Sequence, residues 1–106
     1  MKWFPSMAIM THIENGTITA SAGTGSATVG AGNNILMQMF VKATTGTTTF
    51  DINLTDIHSN VMIQRLDITG ELNELIEVPA YGNWTLTVEN SSVDEDLTYL
   101  FVFREV

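Results

Sequence analysis

The dominant period along the chain is two. Thr48-Thr49-Phe50-Asp51-Ile52-Asn53-Leu54 alternates cleanly, with Phe50, Ile52 and Leu54 on one side and Thr49, Asp51 and Asn53 on the other. Successive side chains of a strand point to opposite faces, so this is the pattern of a half-buried strand. Trp84-Thr85-Leu86-Thr87-Val88-Glu89 repeats it, with Trp84, Leu86 and Val88 inward. Val61 to Ile68 reads as a further strand, closed by Thr69-Gly70-Glu71. Two runs, Ile35 to Val41 and Leu97 to Phe103, are apolar on both faces. They suit strands covered on both sides, and if the last one is an edge, a neighbouring subunit is its natural cover.

Turn chemistry separates these runs. Asn15-Gly16 stands between Met7–Glu14 and Thr17–Ala20. Both central residues of a type I′ turn need a positive φ, so Asn-Gly predicts a hairpin, with Ile13 and Ile18 paired on one face and His12 opposite Thr19 on the other. Residues 20–34 hold four of the eight glycines. They read as a loop around a short strand near Ala27-Thr28-Val29, or as a strand thin enough for another backbone to approach closely. Further turns are expected at Thr44–Thr47, Asp56–Asn60 and Ala80–Asn83, with a polar loop from Asn90 to Asp96. Leu72, Leu75 and Ile76 have helical spacing, but six residues before Val78-Pro79 make a poor helix, and a short strand is expected there.

Eight or nine strands at regular spacing, without βαβ alternation or internal repeat, predict an all-β protein. The expected architecture is an antiparallel β-sandwich of about eight strands, jelly-roll-like or Ig-like. Its expected core is Phe50, Ile52, Leu54, Leu66, Ile68, Trp84, Leu86, Val88, Phe101 and Phe103. The chain of 106 residues suits one domain over residues 7–106, preceded by an N-terminal segment, residues 1–6. That segment begins like a signal peptide, but Pro5 and Ser6 break its apolar run and no cleavage site follows. The expectation is a complete, soluble product made in a cytoplasm, with no membrane span. The four N-x-[ST] sequons, at Asn15, Asn53, Asn83 and Asn90, are then by-products of a chain rich in Thr and Asn.

Composition narrows the chemistry. Four Lys+Arg against twelve Asp+Glu, a net charge of −8, argue against nucleic acid or an anionic membrane as partner. The absence of Cys removes disulfides, thiolate metal sites and a thiol nucleophile. His12 and His58 are the only histidines and neither has a G-x-S-x-G elbow to serve. Gly23-Thr24-Gly25-Ser26 lacks the Lys and the following helix of a phosphate cradle. Asp51, Glu74, Glu77 and Glu89 can be paired on paper as glycosidase carboxylates, but no spacing selects a pair. Asp94-Glu95-Asp96 is the densest acidic cluster and the candidate metal site, for Ca²⁺, although it lacks the D-x-D-x-D-G spacing. No cofactor and no enzymatic activity are expected. The remaining acids fall on outward positions or turns, as on a surface facing water.

Two features read as contact surface. Trp3 and Phe4 precede the first strand, and large aromatics at a chain end pack on their own domain or anchor to a partner. Met7 and Met10 add adaptable apolar surface beside them. The stretch Gly82-Asn83-Trp84-Thr85-Leu86-Thr87-Val88, with Leu97 to Phe103 after it, resembles the closing strands of proprotein-convertase P domains and bacterial pre-peptidase C-terminal domains, which are jelly-roll sandwiches. As a whole the signal-less, Cys-free, Thr- and Gly-rich acidic chain resembles small virion proteins of tailed phages, especially capsid decoration (cement) proteins. That resemblance implies a structural role in a virion, contact with other virion proteins such as the major capsid protein, and self-association into a homo-oligomer. The alternative is a carbohydrate- or calcium-binding sandwich module, for which Tyr81 and Tyr99 would be the sugar platforms.

Overall fold

Each alternating run forms the strand its pattern predicts. The computed structural model describes residues 11–30 and 32–105, with Asn33 as backbone only. Its strands are β1 (Thr11–Thr19), β2 (Gly25–Val29), β3 (Asn33–Ala43), β4 (Thr49–Thr55), β5 (Val61–Thr69), β6 (Glu71–Tyr81), β7 (Trp84–Glu89) and β8 (Asp96–Glu105). They make two antiparallel sheets, in the orders β1-β8-β3-β6 and β2-β7-β4-β5. The pairs β1·β8, β2·β7, β3·β6 and β4·β5 nest inside one another like a long hairpin doubled on itself. The β3·β8 and β4·β7 ladders then roll that ribbon into two layers. This is the jelly-roll arrangement, which settles the choice that the sequence left open against an Ig-like order. Among the described residues no helix is long and apolar enough to cross a membrane.

The inner faces meet in one core. Leu36, Met39, Val41, Leu97, Phe101 and Phe103 line it from the first sheet, and Val29, Phe50, Ile52, Leu54, Trp84, Leu86 and Val88 from the second. Strand β8 lies between β1 and β3, so its hydrogen-bonding edges are paired within the chain and need no neighbouring subunit. Leu72 to Glu77 is strand, as expected, within the longer β6. Pro79 is tolerated there because β6 is an edge strand and the missing N–H interrupts no second ladder.

Two sequence expectations fail. The Asn15-Gly16 hairpin does not form: both residues continue β1, opposite Leu100 and Tyr99 of β8. The extended path keeps an unbroken ladder from Thr11↔Arg104 to Thr19↔Asp96, where a turn would leave two short arms. Ile13 therefore faces out while Ile18 is buried. Gly16 serves close approach instead, since a Cβ there would stand 2.7 Å from the Tyr99 hydroxyl oxygen. The chain reverses later, at Ser21-Ala22-Gly23-Thr24, where Ala22 (φ 54°) and Gly23 (φ 84°) adopt the paired positive angles of a type I′ turn. Strand β2 follows it, starting at Gly25, which lies against the Thr19 carbonyl of the same chain.

Leu66, expected in the core, is 58% exposed. The β4–β5 register shifts between Phe50↔Ile68 and Ile52↔Arg65, so Leu66 and Asp67 together oppose Asp51. This β-bulge, with Asp67 at φ 55°, turns Leu66 outward and Arg65 inward. Arg65 then reaches across the open edge of the sandwich to Glu74 of β6, its Nε donating to Oε1 at 2.9 Å and Nη2 to Oε2 at 2.7 Å.

The β5–β6 connection depends on Gly70, which has a φ of 75° and would place a Cβ 2.5 Å from the Gly46 carbonyl oxygen. Gly70→Ala is expected to cost about 2–4 kcal/mol in urea unfolding, from left-handed strain plus the backbone clash. Gly46→Ala, with nothing within 4 Å of the new Cβ, should stay within about 0.5 kcal/mol of the parent.

Candidate functional site

The acidic loop is the first place to look, and its carboxylates diverge. Asp94 accepts from the backbone N–H groups of Ala22 and Gly23, both at 3.1 Å. That contact holds the strained Ala22-Gly23 turn in place. Glu95 accepts from the Thr45 N–H and from the hydroxyls of Thr45 and Thr48, all at 2.9 Å. Asp96 accepts from the Thr19 hydroxyl at 2.7 Å. Asp94, Glu95 and Asp96 thus clamp three separate chain segments rather than converge on one ion, and among the described residues no three metal-ligating side chains come together. The triple-acid motif is legible in the sequence, but its job is to tie turns.

The histidines are apart in the fold. His12 lies on the inner side of β1 beside Glu14 and against the Phe103 ring, with centroids 6.1 Å apart. His58 sits in the β4–β5 turn, whose shape is set by Asp56. Asp56 Oδ1 accepts from the N–H groups of His58 (2.8 Å) and Asn60 (2.9 Å), and Oδ2 from the Asn60 side-chain amide (3.1 Å).

That turn walls a cleft of about 190 Å³, lined by Asp56, Ile57, His58, Met62, Pro79, Tyr81 and Trp84. Trp84 is its buried floor, Tyr81 (61% exposed) stands at its rim, and Ile57 and Met62 are exposed beside it. Tyr81 is thus available as a platform. Tyr99 is not: it lies over Gly16 and meets Phe101 edge-on, at 6.2 Å and 82°. The cleft joins residues from β4–β5, β6 and β7, so no linear motif announces it.

The two outer faces of the sandwich differ sharply. On the β1-β8-β3-β6 sheet, Ile13, Val102, Gln38 and Leu75 form one cross-strand row, and Asn15, Leu100, Phe40 and Asn73 the next. Ile13 is 53% and Leu75 80% exposed, and Phe40, Leu100 and Val102 are half-buried between them. Within this largely apolar field Gln38 donates to Asn73 at 2.9 Å, Lys42 and Arg104 flank it, and Arg104 faces Glu77 at 3.6 Å. On the other sheet the corresponding rows are Ser26, Thr87, Asn53, Gln64 and Thr28, Thr85, Thr55, Val61. There Gln64 donates to Asn53 (2.8 Å), and Asn53 donates to Glu89 (2.5 Å). Trp3, Phe4, Met7 and Met10, the expected contact residues, lie outside the described residues.

No protein-family model matches the chain, and no curated protein matches it significantly in sequence. Solved structures that match in shape include the Yersinia pseudotuberculosis-derived mitogen, at 14% identity and a TM-score of 0.46, over 93% of this chain and 88% of that one. A chain from the infectious bursal disease virus Gx strain matches at 12% identity and a TM-score of 0.33, over 91% of this chain and 32% of that one. A family two carbohydrate esterase from Cellvibrio japonicus matches at 10% identity and 0.34, over 92% of this chain and 35% of that one. The chain spans about a third of the length of these last two. At such scores the likenesses bear on no residue or activity of this protein.

The carboxylates make the fold acid-sensitive. The Asp67 and Asn90 donors hold Asp51 below its ordinary value, the Asn60 donors do the same for Asp56, the Arg65 guanidinium for Glu74, and the Thr45 N–H and the threonine hydroxyls for Glu95. A depressed folded pKa favours the ionised form in the fold. The stabilisation is therefore complete above the unfolded carboxylate range, 3.8–4.5, and disappears as pH falls through the lower folded values. The melting temperature should hold from neutral pH to about 5 and decline steadily below about 4. Glu95→Gln should lower it at neutral pH and flatten the acid limb.

Proposed function

We propose that this chain is a non-enzymatic structural protein of a virion, attached to neighbouring virion proteins through the outer face of its β1-β8-β3-β6 sheet. One observation carries this reading: on that face Phe40, Leu100 and Val102, with the exposed Ile13 and Leu75, form an apolar patch around the Gln38–Asn73 pair, while β2, β7 and β4 present mostly Ser, Thr and Asn on the opposite outer face, where Val61 and Leu66 of β5 are the exposed apolar residues. An exposed apolar field rimmed by polar residues is the usual mark of a protein contact. Strand β8 is internal to its sheet, so its own hydrogen-bonding edges offer no contact, and the reading rests on the face of the sheet. The Cys-free, Thr-rich acidic character read from the sequence supports a virion setting, with the polar face and most of the negative charge turned to water. The major capsid protein is the natural partner under this reading, and self-association on the same face is compatible with it.

A sugar-binding module remains the second reading, and Tyr81 at the cleft rim is what favours it. The first reading is tested on the face. Leu75→Lys and Ile13→Lys replace exposed side chains, so each should change monomer stability by no more than about 0.5–1 kcal/mol. Together they should abolish attachment to particles lacking this protein, measured by co-sedimentation. A parent chain that stays monomeric and ignores such particles would refute the reading.

A further inference from the structure

We propose that the cleft beneath Tyr81 is a receptor for a lysine side chain presented by a partner protein. The cleft lining is mostly apolar. Ile57, Met62, Pro79 and Tyr81 line its sides and Trp84 its floor, with Asp56 and His58 as the polar members. At about 190 Å³ it has room for one side chain rather than a drug-sized molecule. Long cationic side chains bury an apolar stem and hold a charged head against a polar partner, and the lining offers both an apolar surface and the Asp56 carboxylate.

Asp56 decides which head is suited. A carboxylate offers about four acceptor positions. Three are occupied: two on Oδ1 by the His58 and Asn60 N–H groups, and one on Oδ2 by the Asn60 amide. One position on Oδ2 remains. A guanidinium prefers a bidentate fork, which this carboxylate does not offer, whereas an ammonium is a point charge satisfied by a single strong acceptor. The three internal donors also keep Asp56 ionised and fixed in place before any ligand arrives. The exposed Tyr81 ring adds an aromatic face at the rim, where an ammonium gains cation–π attraction. Among the described residues no Lys or Arg lines the cleft, and a net charge of −8 draws cations to the molecule as a whole. A sugar fits less well, since its ring of hydroxyls would meet mostly apolar walls.

The inference rests on the reading of the chain as a protein-contact module and adds the chemistry of one contact. It is tested on the isolated full chain by following backbone amide resonances while Nα-acetyl-lysine methylamide is added to about 10 mM, the weak-affinity range appropriate to a single side chain. Expected are saturating shifts confined to residues 56–62 and 79–84. The norleucine analogue, which keeps the stem without the charge, should bind at least about fivefold more weakly, a difference of about 1 kcal/mol. Tyr81→Ser, at an exposed position, should leave the rest of the spectrum in place and remove the response. Asp56→Asn, which retains an acceptor for the turn, should weaken it. Equal binding of lysine and norleucine analogues, stronger binding of methyl glycosides in a parallel titration, or no shift at the highest concentration each overturns the proposal. Because the response is read without any particle, its failure leaves the outer-face test standing, and failure of that test leaves this one readable.

Discussion

The β3·β8 ladder is the contact on which the rest of the molecule depends. The nested pairs β1·β8, β2·β7, β3·β6 and β4·β5 alone describe a long two-stranded ribbon, which water would not leave folded. Pairing β3 with β8 brings Leu36 beside Phe103, Met39 beside Phe101 and Ala43 beside Leu97, all buried on one face. The matching β4·β7 ladder places Ile52 beside Val88 and Leu54 beside Leu86 on the other. The two apolar faces can then close on each other, and removing a central ring such as that of Phe101 forfeits about 3–5 kcal/mol.

Closure creates needs at the margins, and polar groups meet them. At the open side between β5 and β6 the bulge at Leu66-Asp67 turns Arg65 inward to a bidentate pair with Glu74. Both side chains keep roughly a third of their surface in water, so the pair caps the core without the full cost of burying charge. At one end the loop before β8 uses Asp94 and Glu95 to hold the 21–24 and 44–48 turns, while Ala20 donates to the Glu95 carbonyl at 3.0 Å. Charges that a count reads as surface are in several cases the joints of the roll.

The same alternation that builds the core leaves two outer faces, and their chemistry has diverged. One carries rows of hydroxyls and amides, with Gln64, Asn53 and Glu89 linked in a chain; the other is a patch of Ile13, Phe40, Leu75, Leu100 and Val102 around the Gln38–Asn73 pair. The cleft under Tyr81 is a third, smaller feature, placed where the β4–β5 turn folds back on the end of β6.

Local patterning was enough to read the class of this fold. Phe50, Ile52, Leu54, Trp84, Leu86 and Val88 are inward because period-two alternation is a property of the strand itself. Strand β6 was also legible, since Pro79 and the short run before it disfavour a helix. What failed, failed where a distant partner outweighs a local preference. Asn15-Gly16 favours a turn, but nine ladder positions on β8 outweigh one turn propensity, and the reversal moves to Ala22-Gly23, held by Asp94 from far along the chain. Leu66 alternates correctly until one extra residue changes its face, and nothing local marks that bulge. For the site, Tyr81 and the acidic triplet could be named from the chain. That Tyr81 overlooks Trp84 and Asp56, and that Asp94, Glu95 and Asp96 point three ways, was decided by tertiary structure alone. The direction and neighbours of a loop side chain are set by which strands the roll brings together, and strand pairing is a long-range choice.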